Sequence, residues 1–456
     1  MNSGVKERLV AAGLRAAEAE RKARLFDGAS LLLKQWGEEH ALSQTRLYVP
    51  GRIEVLGKHT DYAGGRSLLC AVERGITVIA SRRNDQSVRI ADAVSGQECQ
   101  FALSSELAAV SQDWSVYPKA VARRVARNFQ GLLHGANIVF ASDLPRSAGL
   151  SSSSALVVAT FMGLRETNDL IWHPAYRGNL ATIEDLATYL GCVENGQSFR
   201  GLAGDSGVGT FGGSEDHTAI LASSPGQLTQ FRFCPTRLER EVPLPAGYIF
   251  AIGVSGVVAD KTGSAREKYN RESHAAKTIL ALWNESSGRS DPTLFEAATH
   301  VRDAPDRIRR LLQGSCHPSF PASMLLQRFE QFLSESICYV PGAGDALARN
   351  NFEEFGEWVD RSHASAEQHL GNQTPETSEL ARSARALGAV AASAFGAGFG
   401  GSVWAMVQLE TAADFLDRWK EHYHQAFPHH AGSSEFFISG AGAPAIVFDP
   451  KVSMAE

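Results

Sequence analysis

Leu144-Pro145-Arg146-Ser147-Ala148-Gly149-Leu150-Ser151-Ser152-Ser153-Ser154-Ala155 is the stretch on which the reading of this chain turns. An apolar, strand-like run over residues 136–140 precedes it, and a helical apolar pattern over residues 154–166 follows it. Small residues let backbone N–H groups approach a polyphosphate closely. The start of the following helix adds unpaired N–H donors and a favourable dipole. Serine hydroxyls add ligands for phosphate oxygens or Mg2+. The stretch therefore reads as a phosphate cradle without a lysine. No GxxxxGK[ST] occurs in the chain, and the protein-kinase set of motifs is absent too. A serine-rich cap on a core helix has the same composition, so the rest of the sequence has to decide.

The chain has 456 residues, more than one ordinary core accommodates, which predicts two sizeable domains. Apolar residues make up 44% and charged residues 21%, the balance of a globular protein. A net charge of −6 offers no bulk attraction for nucleic acid or a membrane surface, so neither is an expected partner. The six cysteines form no CxxC pair and fit no zinc spacing, which predicts reduced thiols in a cytoplasmic protein. The N-terminal residues are charged throughout and read as no signal peptide. Residues 388–407 are apolar enough to suggest a membrane span, but the glycines clustered at 396–401 argue for a strand, a loop and a further strand or helix.

Residues 5–42 read as one or two amphipathic helices. From about Arg46 the pattern changes to short strands: Leu47-Tyr48-Val49 and Ile53-Glu54-Val55-Leu56, separated by Pro50-Gly51, then residues 68–72, 76–80 and 87–90. Residues 120–133 predict a helix with a basic face, and 183–193 another helix. Glycines crowd residues 201–213. Strands are predicted over 228–233 and 248–254, a broken helical region over 264–370, and β structure again over 389–407 and 434–448. Strands and helices mixed in both halves imply an α+β architecture. Prolines at 225, 235, 243 and 245 place the boundary near residues 225–245, giving domains 1–235 and 236–456.

Three motifs and several weaker echoes carry a family resemblance. Pro50-Gly51-Arg52-Ile53-Glu54-Val55-Leu56-Gly57-Lys58-His59-Thr60-Asp61-Tyr62-Ala63-Gly64-Gly65 resembles the galactokinase signature PGRVNLIGEHTDYNGG. The serine stretch resembles PxxxGLSSSA, and Phe395-Gly396-Ala397-Gly398-Phe399-Gly400-Gly401-Ser402 resembles TGGGFGGC. Trp114-Ser115-Val116-Tyr117, Val193-Glu194-Asn195, Gly213-Ser214-Glu215-Asp216-His217, Lys268-Tyr269-Asn270-Arg271 and the small residues 439–443 echo further family segments in the family's order. The chain thus resembles the GHMP kinases and, among them, the galactokinases. That resemblance implies an N-terminal domain like ribosomal protein S5 domain 2 and a ferredoxin-like C-terminal domain, with the active site between them. It also implies ATP and Mg2+ as cofactors and phosphorylation of a free sugar, galactose first. Oligomeric state stays open, a monomer being the family's common form.

Carried over by the resemblance, Asp216 and Arg52 are the catalytic pair. Asp216 takes or orients the proton of the attacking hydroxyl, and Arg52 holds Asp216 ionised and stabilises the transferring phosphoryl group. Ser153 and Glu194 are the expected Mg2+ ligands, since that ion takes hard oxygen donors. Trp114 lies at the adenine, and Ser147, Gly149, Leu150, Ser151, Ser152 and Ser153 at the phosphates. The sugar contacts are Lys58, His59, Asp61, Gly213 and Tyr269. Four departures bear on specificity. Lys58 stands where the family has a glutamate that holds a sugar hydroxyl, and an ammonium there suggests an acidic sugar as an alternative. Glu54 replaces an asparagine, His217 a glutamine, and Ser147 and Ser154 replace glycine and alanine. Asp216 lies 22 positions after Glu194, further than in the family, and the glycine-rich excess reads as a flexible loop that lids the sugar. A non-catalytic sensor of ATP and sugar is the remaining alternative.

Overall fold

In the computed structural model, which describes residues 2–37, 44–108, 113–258 and 265–448, the chain builds two sheets. The strands of the first are β1 (Gln44–Leu56), β2 (Arg66–Arg82), β3 (Ser87–Asp92), β4 (Glu98–Ala102), β5 (Ala136–Ser142), β6 (Gln227–Arg232) and β7 (Arg237–Pro243). Those of the second are β8 (Tyr248–Val254), β9 (Ala391–Phe395), β10 (Ser402–Gln408) and β11 (Glu435–Ser439). The last strand, β12 (Ile446–Val447), returns to the first sheet beside β1. The first sheet runs β12-β1-β2-β5-β3-β4, with β6 and β7 attached to the early part of β2. The second runs β11-β8-β10-β9, the strand order of a ferredoxin-like βαββαβ unit.

The first sheet is buried on both faces, and its side chains divide by the period of two. Val78 and Ala80 of β2 and Ile138 and Phe140 of β5 pack into the main core with helices Val116–Asn128, Ser152–Thr167 and Ile183–Asn195. Tyr48, Ile79 and Val139 point the other way, onto Phe26 and Leu33 of helix Ala16–Gln35. Burial on both faces explains why these strands read as continuous apolar runs. The expected N-terminal helices are Asn2–Ala11 and Ala16–Gln35, and residues 38–42 of that expectation lie outside the described residues.

Two readings need correcting. Pro50-Gly51 does not separate two strands, because β1 runs through it with register shifts at Pro50/Arg52 and Glu54/Leu56. These irregularities let one long strand bend without ending. The chain leaves the first sheet after β7, so a division at residue 235 would cut the β6–β7 hairpin. Residues 388–407 form β9, a loop and β10. No helix among the described residues is long and apolar enough to cross a membrane.

The glycine-rich segment is no free flap. Asp205 takes hydrogen bonds from Arg123 Nε at 2.7 Å and Arg124 Nη1 at 3.4 Å. Arg127 Nη1 donates to Gly204 O at 2.6 Å, and Val208 N to Glu194 O at 2.8 Å. The basic face expected on residues 120–133 therefore clamps this loop, fixing where its end, Thr210 to Gly213, sits. Arg123 and Arg124 are buried, and Asp205 is the carboxylate between them. Burial opposes its charge, but the two guanidiniums and the Gly207 N–H win and hold its pKa below the usual value. Removing one partner of such a cluster costs about 3–5 kcal/mol, because the other charges stay buried. We expect Asp205→Ala to lower the urea midpoint by that order and to open the 196–213 segment to protease. An unchanged midpoint and an unchanged cleavage pattern would count against the clamp.

Candidate active site

The residues of the serine stretch form a loop whose backbone alternates in hand. Ser147, Gly149 and Ser151 have φ of 50°, 77° and 59°, the left-handed region. Alternating left- and right-handed residues turn successive N–H groups toward one side, forming an anion-binding hollow. Serine at 147 keeps the left-handed conformation in which glycine is the favoured residue, so that departure leaves the turn intact. The hydroxyl of Ser151 is buried and, among the described residues, has no hydrogen-bond partner. Helix Ser152–Thr167 starts here and presents its N-terminus.

A second loop supports the first. Gly396, Gly398, Phe399, Gly400 and Gly401 all have positive φ. A Cβ on Gly396 would lie 2.9 Å from Gly149 O, so backbone packs directly on backbone. Ser402 Oγ donates to Ala148 O at 2.6 Å across the same contact.

Two cavities meet at these loops. The larger, about 340 Å3, is lined by the phosphate loop, Trp114, Tyr117, Asp92 and Gly398. Ser147, Gly149, Ser151, Ser152 and Ser153 all face it, and Trp114 packs edge-on against Phe140. Leu150 does not line it; its side chain is core, and its carbonyl accepts the Arg52 N–H. The smaller cavity, about 40 Å3, is lined by His59, Asp61, Gly213, Asp216 and Tyr269. Arg52 lines both.

Arg52 comes from β1 and is 2% exposed. Its Nε donates to Asp216 Oδ1 at 2.7 Å, its Nη2 lies 2.6 Å from the same oxygen, and its Nη1 donates to Gly149 O. Burial disfavours the cation, but Asp216, Glu54 and Glu215 together raise its pKa. Asp216 sits in the first turn of helix Glu215–Ala222. Asp61 reaches the start of that helix, accepting from Tyr62 N at 2.8 Å and Glu215 N at 3.1 Å. Gly213 is required by that approach, since a Cβ there would come within 2.4 Å of Asp61 Oδ2. His59, itself at φ 58°, hydrogen-bonds Tyr62 OH at 2.9 Å and Ala397 O at 3.3 Å, and its ring lies 5.3 Å from that of Tyr269.

One expected site residue lies elsewhere. Lys58 is outside both cavities. Its ammonium is buried and donates to Ser393 Oγ at 2.9 Å and Ser362 Oγ at 3.4 Å. Burial and the Lys58 charge push the neighbouring His363 down to about 4, so that imidazole is neutral. Ser153 faces the larger cavity, whereas Ser154 meets Glu194, donating to its Oε2 at 3.0 Å and to Asp216 Oδ2 at 3.3 Å. Glu194, Asp216 and Ser154 form the cluster of hard oxygens suited to Mg2+. His217 Nε2 lies 3.3 Å from Glu194 Oε2 without the geometry of a hydrogen bond.

Glu54 was noted in the sequence only as a departure, yet it lines the smaller cavity. It follows Arg52 by two on β1 and so shares its face. Its carboxyl hydrogen-bonds that of Glu215, which also accepts from Ser67 Oγ at 2.7 Å. Burial raises Glu54 to about 7 against the opposing pull of Lys58 and Arg52, and burial with Glu54 and Asp61 nearby raises Glu215 further. The native state thus binds a proton at Glu54 more tightly than the unfolded chain. That contribution to stability is complete below about pH 4.5 and is lost as pH rises toward about 7. Glu54→Gln cannot lose it, so its urea midpoint relative to the unmodified protein should rise between pH 5 and pH 8. A constant difference across that range would refute the assignment.

Comparison with known proteins adds a family context. Residues 116–198 match the N-terminal domain of GHMP kinases, residues 345–425 the C-terminal domain of GHMP kinases, and residues 40–82 the galactokinase galactose-binding signature. A galactokinase of Roseiflexus sp. (strain RS-1) is 28% identical over 385 residues, covering 83% of this chain and 87% of the relative. One from Actinobacillus pleuropneumoniae is 26% identical over 376 residues, covering 81% and 87%. The crystal structure of Lactococcus lactis galactokinase complexed with galactose superposes with a TM-score of 0.73 at 22% identity, covering 91% of this chain and 99% of that one. Methanococcus jannaschii mevalonate kinase superposes with a TM-score of 0.51 at 13% identity, covering 88% and 98%.

Proposed function

This chain belongs to the GHMP kinase superfamily, and we propose that it transfers the terminal phosphoryl group of ATP to a free sugar, with galactose as the substrate. The observation that carries this reading is Arg52, one buried guanidinium bonded both to Asp216 in the smaller cavity and to Gly149 of the phosphate loop. Phosphoryl transfer asks mainly for an acceptor and a phosphate held in line, with charge placed where it develops. An acceptor at Asp216 and a phosphate at residues 147–153 would meet at that cation.

In this reading the sugar occupies the cavity between His59, Asp61, Gly213 and Tyr269. Its hydroxyl oxygen bonds to the terminal phosphorus while the bond to the bridging oxygen of ADP breaks, and the hydroxyl proton passes to Asp216. Arg52 neutralises Asp216 and the transferring group together. The alternating backbone and the unpartnered Ser151 hydroxyl suit the phosphates, and Trp114 suits the adenine. Glu194 and Ser154 would hold Mg2+, which neutralises phosphate charge when bound. We place the protein in the cytoplasm, as its unpaired cysteines suggest. The burial of Lys58 outside the cavity removes the reason for expecting an acidic sugar.

Coupled ADP release with Mg-ATP should therefore respond to galactose, and weakly or not at all to glucose or galacturonate. Asp216→Ala should lower kcat by at least about 100-fold, the scale of a general base, while Mg-ATP still binds. Binding of ATP with no turnover on any sugar would favour the sensor instead.

A further inference from the structure

The cavity assigned to the sugar contains five carboxyl groups: Glu54, Asp61, Glu194, Glu215 and Asp216. Each is balanced by something different. Asp61 accepts backbone N–H groups, Asp216 accepts from Arg52, and Glu194 accepts the Ser154 hydroxyl. Glu215 accepts from Ser67 and meets Glu54. One atom is left over. No N–H group and no hydroxyl among the described residues donates to the buried Oε1 of Glu54, whose side chain, 3% exposed, meets only the Glu215 carboxyl and lines the cavity. A buried carboxylate oxygen without a donor is costly, so a ligand that supplies one gains in affinity.

We propose that Glu54 is a specificity-determining residue, whose carboxyl accepts a hydrogen bond from one hydroxyl of the sugar and, when ionised, excludes acidic sugars. The inference rests on the sugar-kinase reading and goes beyond it by naming the group that sets the substrate class. Lys58 lies outside the cavity and cannot offset that charge for an incoming carboxylate by direct contact. The ligand that fits is therefore neutral and rich in hydroxyl donors.

The test measures sugar binding by calorimetry with a non-hydrolysable ATP analogue and Mg2+, using the full chain. Glu54→Ala should weaken galactose binding by about 10- to 100-fold, the worth of a hydrogen bond to a charged group. Glu54→Gln, whose amide oxygen still accepts, should recover most of that loss. It should also bind galacturonate more tightly than the unmodified protein does. Against a panel of monodeoxygalactoses, one sugar should bind the unmodified protein and Glu54→Ala equally, because it lacks the hydroxyl that Glu54 holds. An equal loss for every sugar in the panel would mean that Glu54 only shapes the cavity, and would overturn the proposal while leaving the kinase reading standing. If the unmodified protein binds no sugar at all, both fall together.

Discussion

The site depends on one buried cation. Arg52 sits under 2% exposure on a central strand of the first sheet, where an isolated guanidinium would be expensive. Its position is tolerable because it is surrounded: Asp216 takes its Nε, Gly149 O its Nη1, and the Phe395 ring lies 5.9 Å from its guanidinium carbon. Its backbone N–H donates to Leu150 O at 3.3 Å. Strand β1, the phosphate loop, helix Glu215–Ala222 and the end of β9 therefore meet at one side chain. Removing it would leave a buried carboxylate and a loosened loop together, and such changes do not add as independent terms.

The glycine loop between β9 and β10 is the second constraint, and it acts through backbone. Gly396 and Gly401 bring the loop so close to Ala148 and Gly149 that a side chain at either position would meet a carbonyl oxygen, at 2.9 Å and 3.3 Å respectively. The second sheet thereby braces the phosphate loop of the first. Preorganised N–H groups act at full strength only if they need not move when the phosphate arrives. Two loops locked by Ser402 and by direct backbone contact meet that condition better than a glycine-rich loop alone.

Much of this was legible in the sequence because it follows from periodicity and composition. The buried strands and the helix after Ser151 have clear apolar patterns, and the motifs locate both loops. The edge strands β4 and β7 were missed because they are short and mostly exposed, with polar residues such as Gln100 and Arg240 in place of an apolar alternation. The serine run hid a different fact. Successive residues at a helix start are turned about 100° from each other, so the serines of one run cannot all meet the same partner. Which of them meets Glu194 is a matter of rotation that composition does not record, and it is Ser154. Similarly, the lid expected at residues 201–213 followed from glycine content, while the clamp that holds it lies on a helix some eighty residues earlier.

Glu54 and Lys58 show the same limit with larger consequences. Along the chain they are two departures from one motif, and the lysine looks the more important because it reverses a charge. In space their roles separate. Lys58 turns into a polar pocket formed by Ser362 and Ser393, and its charge reaches the site only by lowering the cost of ionising Glu54. Glu54 remains beside Arg52 and puts a carboxylate into the cavity. In the proposed reading, the acidic group that would face the sugar stands four residues before the lysine, on the strand that the lysine follows. A motif records which residues are present; the direction in which the strand turns each of them decides which one the substrate meets.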